Sequence, residues 1–202
     1  MVLVGIDEVG RGPIAGPVSV GVFVCDKIVL NKLIKNGPTI LKDSKKLTKD
    51  KREQWFKYIG GCVKLGICNF SVSSVSAKEI DKIGIVKSIQ KAMDTSLSKL
   101  SSSCKLKAVS CQILLDGSLK APSQYKNQRT IIKGDEKEPV IAIASIMAKV
   151  TRDRYMAIMA KKHPAYGFMG HVGYGTKEHY KAIKQHGITD IHRKTYLKNI
   201  LA

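Results

Sequence analysis

Residues 2–24 read VLVGIDEVGRGPIAGPVSVGVFV, and this stretch decides the fold because it holds two apolar segments separated by a glycine- and proline-rich break. The segment VLVGID is short, apolar and β-branched, which predicts a buried strand, and VSVGVFV predicts a second strand. Residues 10–17 form the break, since glycine and proline interrupt regular structure. Asp7 and Glu8 are therefore predicted to lie where a buried strand ends at a glycine-rich turn.

Beyond these two strands, hydrophobic spacing and capping residues predict further strands and helices. In chain order they are a basic loop over 42–51, a helix near 48–59, a strand CVKLGICNFSV over 62–72, a helix over about 77–100, a strand AVSCQILLD over 108–116, a short strand and turn RTIIKGD over 129–135, a helix from Pro139 to about Lys162, and a helix near 176–186. This order predicts an α/β fold with a mixed sheet and a helical C-terminal region. We expect residues 1–160 to form one domain, which residues 161–202 continue as that helical region.

The charge of the chain is strongly unbalanced, with 35 Lys and Arg residues against 16 Asp and Glu and a formal net charge of +19. A field of this sign attracts polyanions, and each neutralised phosphate of a nucleic acid releases condensed counterions. The composition thus indicates a nucleic-acid partner, while a charged surface that serves only solubility is the alternative. Hydrophobic residues make up 44% of the chain, which predicts a folded rather than a disordered protein.

The cysteines and the opening residues indicate the compartment. The five cysteines have no C-x-x-C pair and no Cys/His finger spacing, and they are Cys25, Cys62, Cys68, Cys104 and Cys111. This pattern argues against a disulfide framework or a structural zinc site and favours buried thiols in a reducing compartment. The opening apolar residues are soon interrupted by two acids, so no signal peptide is predicted, and no apolar run approaches membrane-spanning length. We therefore expect a cytoplasmic protein without membrane contact.

Acids are scarce in this chain, and four of them lie at predicted strand ends. Asp7 and Glu8 end the first strand, Asp116 closes ILLD, and Asp135 follows the last predicted strand. Side chains alternate across a strand, so Asp7 and Glu8 can approach a metal ion from two directions. Carboxylates collected at one rim form an oxygen-rich cage suited to Mg²⁺ or Mn²⁺, and two such ions can activate a water and stabilise a leaving oxygen. Taken singly, each acid has a plainer interpretation as a turn former, a helix cap or a solvated residue.

Six blocks of sequence carry a resemblance to a known family. They are GIDEVGRGPIAGPVSVGV (5–22), LKDSKKLT (41–48), LLDG (114–117), IKGDEKEPVIAIASIMAKVTRDR (132–154), HVGYGTKEH (171–179) and IHRKTY (191–196). In this order they resemble ribonuclease HII, the bacterial type 2 ribonuclease H family, and the pairing of GIDEVGRG with ASIMAKVTRDR is highly specific. The resemblance implies a ribonuclease-H-like fold, with a mixed sheet flanked by helices and a helical C-terminal region that completes the substrate cleft.

The resemblance also implies an activity and a metal site. It places metal binding and catalysis on Asp7, Glu8, Asp116 and Asp135, the same acids that the strand ends indicate. The implied cofactor is Mg²⁺ or Mn²⁺, with two ions when substrate is bound. The implied reaction cleaves the RNA strand of RNA/DNA hybrids and incises duplex DNA 5′ of a single ribonucleotide, leaving 3′-hydroxyl and 5′-phosphate ends. RNA/DNA hybrid and ribonucleotide-containing duplex DNA are the expected partners, in replication and repair, and a monomer is the expected state.

Recognition of the ribonucleotide is implied for two segments. The resemblance makes Gly10, Arg11 and Gly12 the reader of the RNA–DNA junction. The two glycines let backbone N–H groups approach a 2′-hydroxyl closely, and the arginine adds a phosphate contact. Tyr174 matches the family tyrosine that stacks on the deoxyribose beside the ribonucleotide. From the residues alone, a tight bend and ordinary packing are the alternatives for these two segments.

Contacts to substrate phosphates are expected from a basic loop and a helix. The candidates are Lys45, Lys46, Ser145, Lys149 and Arg152. Ser145 and Lys149 are four residues apart and therefore lie on one face of the predicted helix, where they can contact a common strand. The alternatives are a solvated basic loop for the two lysines and a local ion pair with Asp153 for Arg152.

Three other features are left open by the residues. His171, His179 and His192 lack the spacing of a zinc motif, and for His192 a substrate contact is favoured. Gly84 stands in EIDKIGIVKSI where the family usually has asparagine, and a glycine inside a helix costs about 1 kcal/mol relative to alanine. Glu136 and Glu138 flank Asp135, either as support for the metal site or as charges at a helix N-terminus.

Other functions compete with this interpretation. Ribonuclease HIII shares the metal site but needs runs of ribonucleotides, and the G-R-G turn together with the short segment before Gly5 argues against it. A non-catalytic basic module that binds nucleic acid, or a basic scaffold of the ribosomal type, would explain the charge but not the four acids. Carboxylates oppose phosphate binding unless a cation intervenes, and a buried acid cluster carries an energetic cost.

Overall fold

The computed structural model describes residues 1–104 and 111–201, and these form a five-stranded mixed sheet. The strands are β1 (Val2–Val9), β2 (Val18–Asp26), β3 (Asn69–Val75), β4 (Cys111–Asp116) and β5 (Gln128–Ile131). Their order across the sheet is β3-β2-β1-β4-β5. β1 pairs antiparallel with β2 and parallel with β4, which in turn pairs parallel with β5. The predicted α/β class and mixed sheet are confirmed.

The helices flank this sheet and continue beyond it in the C-terminal part of the chain. They are α1 (Lys27–Lys35), α2 (Lys49–Lys64), α3 (Ala77–Ile83), α4 (Ile85–Cys104), α5 (Gly134–Lys137), α6 (Pro139–Lys162), α7 (Phe168–His171), α8 (Lys177–His186) and α9 (Lys198–Leu201). The predicted helix starts are confirmed. The side chain of Thr48 accepts the N–H of Lys51, Pro139 occupies the first turn of α6, and Thr176 accepts the N–H of His179.

Helices α4 and α6 cover opposite faces of the sheet. Apolar residues of α6 pack with Phe23 in one core, whereas those of α4 pack with Val20 and Val22 in the other. Helix α6 lies close to the sheet because the central strands carry glycine beneath it. A side chain at Gly5 or at Gly21 would overlap backbone carbonyls of α6. This close approach brings the face of α6 next to the ends of β1 and β2.

A third apolar cluster joins the break after β1 to the C-terminal part of the chain. Ile14 and Ala15 pack there with Met156 of α6, Phe168 of α7 and Ile191. Residues 10–17, called the GRG loop below, are thereby fixed against residues that follow them by more than 130 positions. In the part of the chain that the structure describes, no helix is long and apolar enough to cross a membrane.

The strand predicted over 62–72 is wrong in its first half. Helix α2 continues to Lys64, and β3 begins only at Asn69. The buried residues of α2 are Trp55, Ile59 and Cys62, which recur at helical spacing. The alternation over 62–67 therefore belonged to the end of a helix and the turn after it. Helix α1 was not predicted at all.

The helix predicted over 77–100 is interrupted at Gly84. This residue ends α3 with φ +80°, its N–H bonds to the carbonyl of Ile80, and α4 begins at the next residue. The penalty for a glycine inside a helix does not apply, because Gly84 occupies a left-handed position that favours glycine.

Two expectations reach beyond the described residues. The first part of the strand predicted over 108–116 lies outside them, and β4 is described from Cys111. The four cysteines whose side chains are described are buried and form no disulfide with one another, namely Cys25, Cys62, Cys68 and Cys111, whereas the side chain of Cys104 lies outside the description.

Candidate active site

Three of the predicted acids meet at one edge of the sheet. Asp7, Asp116 and Asp135 each offer a carboxylate oxygen, and these oxygens lie within 4.8 Å of one another. The register of the parallel pair β1 and β4 places Ile6 opposite Leu115, so Asp7 and Asp116 occupy the next positions on adjacent strands. Asp135 lies in α5, soon after β5, the parallel neighbour of β4. The acids meet because parallel strands end at the same edge of a sheet.

Backbone hydrogen bonds hold these carboxylates in place. Asp116 Oδ1 accepts the N–H of Gly134 at 2.6 Å, which ties the turn that carries Asp135 to the end of β4. A Cβ atom at Gly134 would lie 2.7 Å from the terminal methyl of Ile141 and 3.4 Å from Asp116 Oδ1, so a side chain there would force the Ile141 side chain to shift. Asp7 Oδ1 accepts the N–H of Glu8 at 2.7 Å.

The electrostatics of the cluster call for a cation. Burial raises the pKa of Asp7 to about 8, a hydrogen bond from Ser145 opposes this rise, and the neighbouring carboxylates add to it. Burial, followed by the charges of Asp43 and Asp116, also raises the pKa of Asp135. Buried like charges resist ionisation unless a positive ion compensates them. An all-oxygen donor set fits Mg²⁺ or Mn²⁺, so the residues present suit a divalent metal site.

Glu8 lies outside this group of three. Its Oε1 is 3.6 Å from Nη1 of Arg11, and its side chain is 14% exposed. Burial raises the pKa of Glu8, and Arg11 counteracts that rise. A role for Glu8 in metal binding stays a prediction.

The lysines predicted to contact substrate phosphates form ion pairs with different acids in this structure. Lys45 Nζ lies 3.5 Å from Asp135 Oδ2 with its side chain 79% exposed, and Lys46 Nζ lies 2.8 Å from Glu136. Lys149 Nζ is bound at 2.8 Å to Asp153, and its side chain is largely buried. Lys45 is thus next to the acid cluster and still accessible from solution.

Two residues that were not predicted from the sequence, Ser44 and Asp43, interact with the acid cluster from the interior of the protein. The hydroxyl of Ser44 lies 2.8 Å from the hydroxyl of Ser145, and Ser145 in turn bonds to Asp7. Asp43 is buried and its charge acts on Asp135. Both residues belong to the DSKKLT block, in which only the lysines drew attention. Ser145, predicted as a phosphate contact, is itself buried between Ser44 and Asp7.

Glu136 and Glu138 form ion pairs with basic side chains. Glu136 pairs with Lys46, and Glu138 Oε1 lies 3.5 Å from Arg129. The two glutamates therefore belong to ion pairs at the margin of the acid cluster.

The GRG loop lies beside Tyr174. A Cβ atom at Gly12 would stand 3.8 Å from Cε1 of the tyrosine ring, and the carbonyl of Gly173 accepts the N–H groups of Ile14 and Ala15. Arg11 and Gly12 are exposed, and so is Tyr174 at 47%. The two segments predicted to recognise the ribonucleotide thus present one continuous surface.

The phosphate contact considered for Arg152 is wrong. This residue is 1% exposed, and its guanidinium binds backbone carbonyls of Pro17, Ala15 and Val172 at 2.9–3.1 Å. Its alternative, an ion pair with Asp153, is wrong as well, because Asp153 pairs with Lys149. Nothing in the local sequence separates Arg152 from Arg154, the exposed arginine of the same helix.

The substrate contact favoured for His192 is also wrong, because His192 is buried in a chain of histidines. Its Nδ1 accepts the N–H of Thr189, and its Nε2 lies 3.0 Å from Nε2 of His179. His179 Nδ1 lies 2.8 Å from the carbonyl of Tyr174. These contacts assign Nε2–H to His192 and Nδ1–H to His179, so that two neutral rings link Thr189 to the backbone of Tyr174. Burial, assisted by His179, lowers the pKa of His192 to about 4.

Comparisons with known proteins identify a family that matches nearly the whole chain. The family model described as Ribonuclease HII matches residues 4–199. A protein of Caldicellulosiruptor bescii named Ribonuclease HII is 44% identical over 198 residues, which cover 98% of this chain and 87% of that protein. The crystal structure of ribonuclease H2 from Pyrococcus horikoshii OT3 superposes with a TM-score of 0.73 at 28% identity, covering 99% of this chain and 97% of that one.

A second solved structure is similar at the same level. It is the PCNA:RNase HII complex from Archaeoglobus fulgidus, with a TM-score of 0.70 and 26% identity over 96% of this chain and 94% of that chain. The family match spans all three clustered acids, the GRG loop and Tyr174, and the similar folds cover nearly the whole chain. The chain therefore belongs to the ribonuclease HII family of metal-dependent ribonuclease H endonucleases.

Proposed function

We propose that this chain cleaves the RNA strand of RNA/DNA hybrids and nicks duplex DNA on the 5′ side of a single embedded ribonucleotide. The observation that carries the proposal is the cluster of Asp7, Asp116 and Asp135, three carboxylates with oxygens within 4.8 Å of one another. A protein that only bound nucleic acid would gain nothing from buried acids that repel phosphate. The net charge of +19 supplies the attraction to a polyanion that these acids lack.

The metal chemistry follows from the donor set. We assign two divalent ions, Mg²⁺ or Mn²⁺, to Asp7, Glu8, Asp116 and Asp135. Such ions activate a water and stabilise the leaving oxygen of an in-line displacement, which gives 3′-hydroxyl and 5′-phosphate ends. The protein contributes fixed ligand positions, because Asp7 and Asp116 lie on paired strands and the Gly134 N–H holds Asp116. Lys45, which is exposed beside Asp135, would be available to a substrate phosphate if a divalent ion were held by that acid.

Recognition of the ribonucleotide belongs to the surface formed by Gly10, Arg11, Gly12 and Tyr174. Backbone N–H groups of the loop suit a 2′-hydroxyl, and a flat tyrosine ring suits a sugar that lacks this group. Because Gly12 lies next to the ring of Tyr174, the loop and the tyrosine can contact two successive sugars of one strand. Lys46, Ser145 and Lys149 are assigned to the phosphates on either side.

The cellular setting of the proposal is the removal of ribonucleotides from DNA during replication and repair. Buried cysteines without a disulfide among the described residues support action in a reducing cytoplasm, and a monomer is proposed as the acting state. The related protein of Archaeoglobus fulgidus was solved as a complex with PCNA, and a sliding-clamp partner is proposed for this chain on that likeness alone.

The test uses a labelled RNA/DNA hybrid with Mg²⁺, Mn²⁺ or EDTA. We expect metal-dependent internal cuts in the RNA strand, products that a DNA polymerase extends from their 3′-hydroxyl, and 5′ ends that a ligase accepts. An Asp116→Asn variant should lose cleavage, while Asp50→Asn, which changes an exposed acid of α2, should keep it. Binding without any cut in either metal would leave a basic nucleic-acid-binding module as the function.

A further inference from the structure

Two buried arginines lie beneath the GRG loop without a carboxylate partner. Arg152 is 1% and Arg193 0% exposed, and neither forms an ion pair with any of the residues that the structure describes. A buried guanidinium is unfavourable unless its N–H groups are satisfied. Here each of the six guanidinium nitrogens donates one hydrogen bond, and all six acceptors are backbone carbonyls of two loops.

Arg193 binds three carbonyls of the GRG loop. Its Nη2 donates to Gly10 O at 2.6 Å, its Nη1 to Arg11 O at 2.9 Å, and its Nε to Gly16 O at 3.0 Å. The hydroxyl of Tyr196 adds a bond of 3.2 Å to Arg11 O, and the guanidinium carbon of Arg193 lies 5.1 Å from the centre of the Tyr196 ring. One planar side chain thus fixes both ends of the loop.

This arrangement determines where the N–H groups of the loop point. The described peptide bonds are all trans, so each N–H lies opposite the carbonyl of the same peptide unit. The carbonyls of Gly10 and Arg11 face Arg193 in the interior, and the N–H groups of Arg11 and Gly12 therefore face outward. Both residues are exposed, and within the described part of the chain neither N–H has a protein acceptor. The loop presents two adjacent free donors to solution.

Arg152 ties this loop to the segment that carries Tyr174. Its Nη2 binds Ala15 O and its Nη1 binds Val172 O, two residues before the tyrosine. Val172 has φ +44°, a left-handed conformation that is strained for a β-branched residue and needs support from its surroundings. The donors of the loop and the tyrosine ring are consequently held by one pair of neighbouring cations.

We propose that Arg193 is a positioning residue for ribonucleotide recognition, which binds the carbonyls of Gly10 and Arg11 and thereby turns the N–H groups of Arg11 and Gly12 toward the 2′-oxygen of the substrate. The inference rests on the proposed function. The inference adds to that function a residue that does not touch the substrate. Arg193 belongs to the block IHRKTY and lies more than 180 positions from Gly10 and Arg11 in the sequence. Lysine cannot replace it, because an ammonium is a point donor and cannot bind three carbonyls in one plane.

The experiment measures how strongly the protein distinguishes a 2′-hydroxyl from a 2′-hydrogen. All variants are made in the full chain with Asp135→Asn, which prevents cleavage, and anisotropy gives the Kd of a single-ribonucleotide duplex and of the matched all-deoxy duplex. We expect Arg193→Lys to reduce the ratio of the two Kd values about tenfold, as the loss of one or two hydrogen bonds implies. The Kd of the all-deoxy duplex should change less than that of the single-ribonucleotide duplex.

The matched control is Arg154→Lys, because Arg154 also lies in the C-terminal half of the molecule but pairs with Glu53 on the surface. Its Kd ratio should equal that of the parent. Should Arg193→Lys fail to fold, Tyr196→Phe decides, since it removes only the hydroxyl that binds Arg11 O. We expect it to lower the ratio about threefold.

The outcomes separate the two proposals. A parent protein that binds both duplexes equally would contradict ribonucleotide reading, and the inference would fall with the proposed function. A parent that discriminates, with a folded Arg193→Lys or a Tyr196→Phe that keeps the full ratio, would overturn the inference and leave the proposed function standing. A reduced ratio with Arg154→Lys unchanged supports it.

Discussion

Replacing Asp7 by asparagine is expected to stabilise the metal-free protein and to do so more strongly as the pH rises. Burial raises the pKa of Asp7 to about 8 in the folded chain, against 3.8 in the unfolded chain. A carboxyl whose pKa is raised by folding contributes its full stability below the unfolded pKa and loses it as the pH rises toward the folded pKa. Asparagine has nearly the same shape, carries no charge at any pH, and still offers an oxygen to the N–H of Glu8.

The size of the effect follows from the two pKa values. Each pH unit between 3.8 and about 8 lowers the free energy of unfolding of the wild type by about 1.4 kcal/mol relative to Asp7→Asn. The advantage of the variant should therefore be about 2 kcal/mol at about pH 5 and about 4 kcal/mol at about pH 7. The raised pKa values of Glu8 and Asp135 act in both proteins and largely cancel in the difference.

The assay is urea unfolding of both proteins in EDTA at several pH values between about 5 and 8, repeated with saturating Mg²⁺. The divalent ion should stabilise the wild type much more than the variant, because it binds the folded carboxylate cluster. Asp50→Asn, an exposed acid, should leave the free energy of unfolding within about 0.5 kcal/mol at every pH. A difference between wild type and Asp7→Asn that did not grow with pH would refute the reasoning.

Three further predictions address the loops and the phosphate contacts. Gly10→Ala should lower the melting temperature and abolish single-ribonucleotide incision, because Gly10 has φ +87° and a side chain there would overlap Arg152. Calorimetry measures the first effect, and cleavage of the single-ribonucleotide and all-deoxy duplexes measures the second. A variant with unchanged melting temperature and incision would contradict the prediction. Relative to His192→Asn, the wild type should lose about 3 kcal/mol of stability as the pH falls from 6.5 toward about 4, since folding depresses the pKa of His192 and its stabilisation is present only above the unfolded pKa. Urea titrations of both proteins should measure this difference, and an equal pH dependence of the two would count against the buried neutral ring. Lys45→Ala should lower kcat/KM about tenfold on every substrate and reduce the slope of log affinity against log salt by about 1, whereas a loss confined to ribonucleotide substrates would assign Lys45 another role.

The acids could be predicted because their positions depend on local pattern. Asp116 is the last residue of β4 and is followed by Gly117, and Asp7 lies two residues before the end of β1, so the sequence pattern places both acids near a strand end. The order of strands and helices then brings those ends together. Asp135 is displaced into a short helix, yet it keeps its place at the same edge.

The supports of the site could not be predicted from the residues. Arginine is almost always exposed, so nothing in the sequence marks Arg152 and Arg193 as buried groups that bind backbone carbonyls. Their roles depend on contacts across more than 130 positions, which no local pattern encodes. The same holds for His179 and His192, whose contact is visible only once the two segments are folded together.

The central claim, a metal-dependent cut directed by one ribonucleotide, is tested most directly with two labelled DNA duplexes that differ only in a single internal ribonucleotide. Each is incubated with the protein in Mg²⁺, Mn²⁺ or EDTA, with Asp135→Asn as the inactive variant and Asp50→Asn as its matched control. The account predicts a nick 5′ of the ribonucleotide that requires the divalent ion and Asp135 and never appears in the all-deoxy duplex. Cutting of both duplexes alike, or a nick that persists in EDTA or in Asp135→Asn, would contradict it.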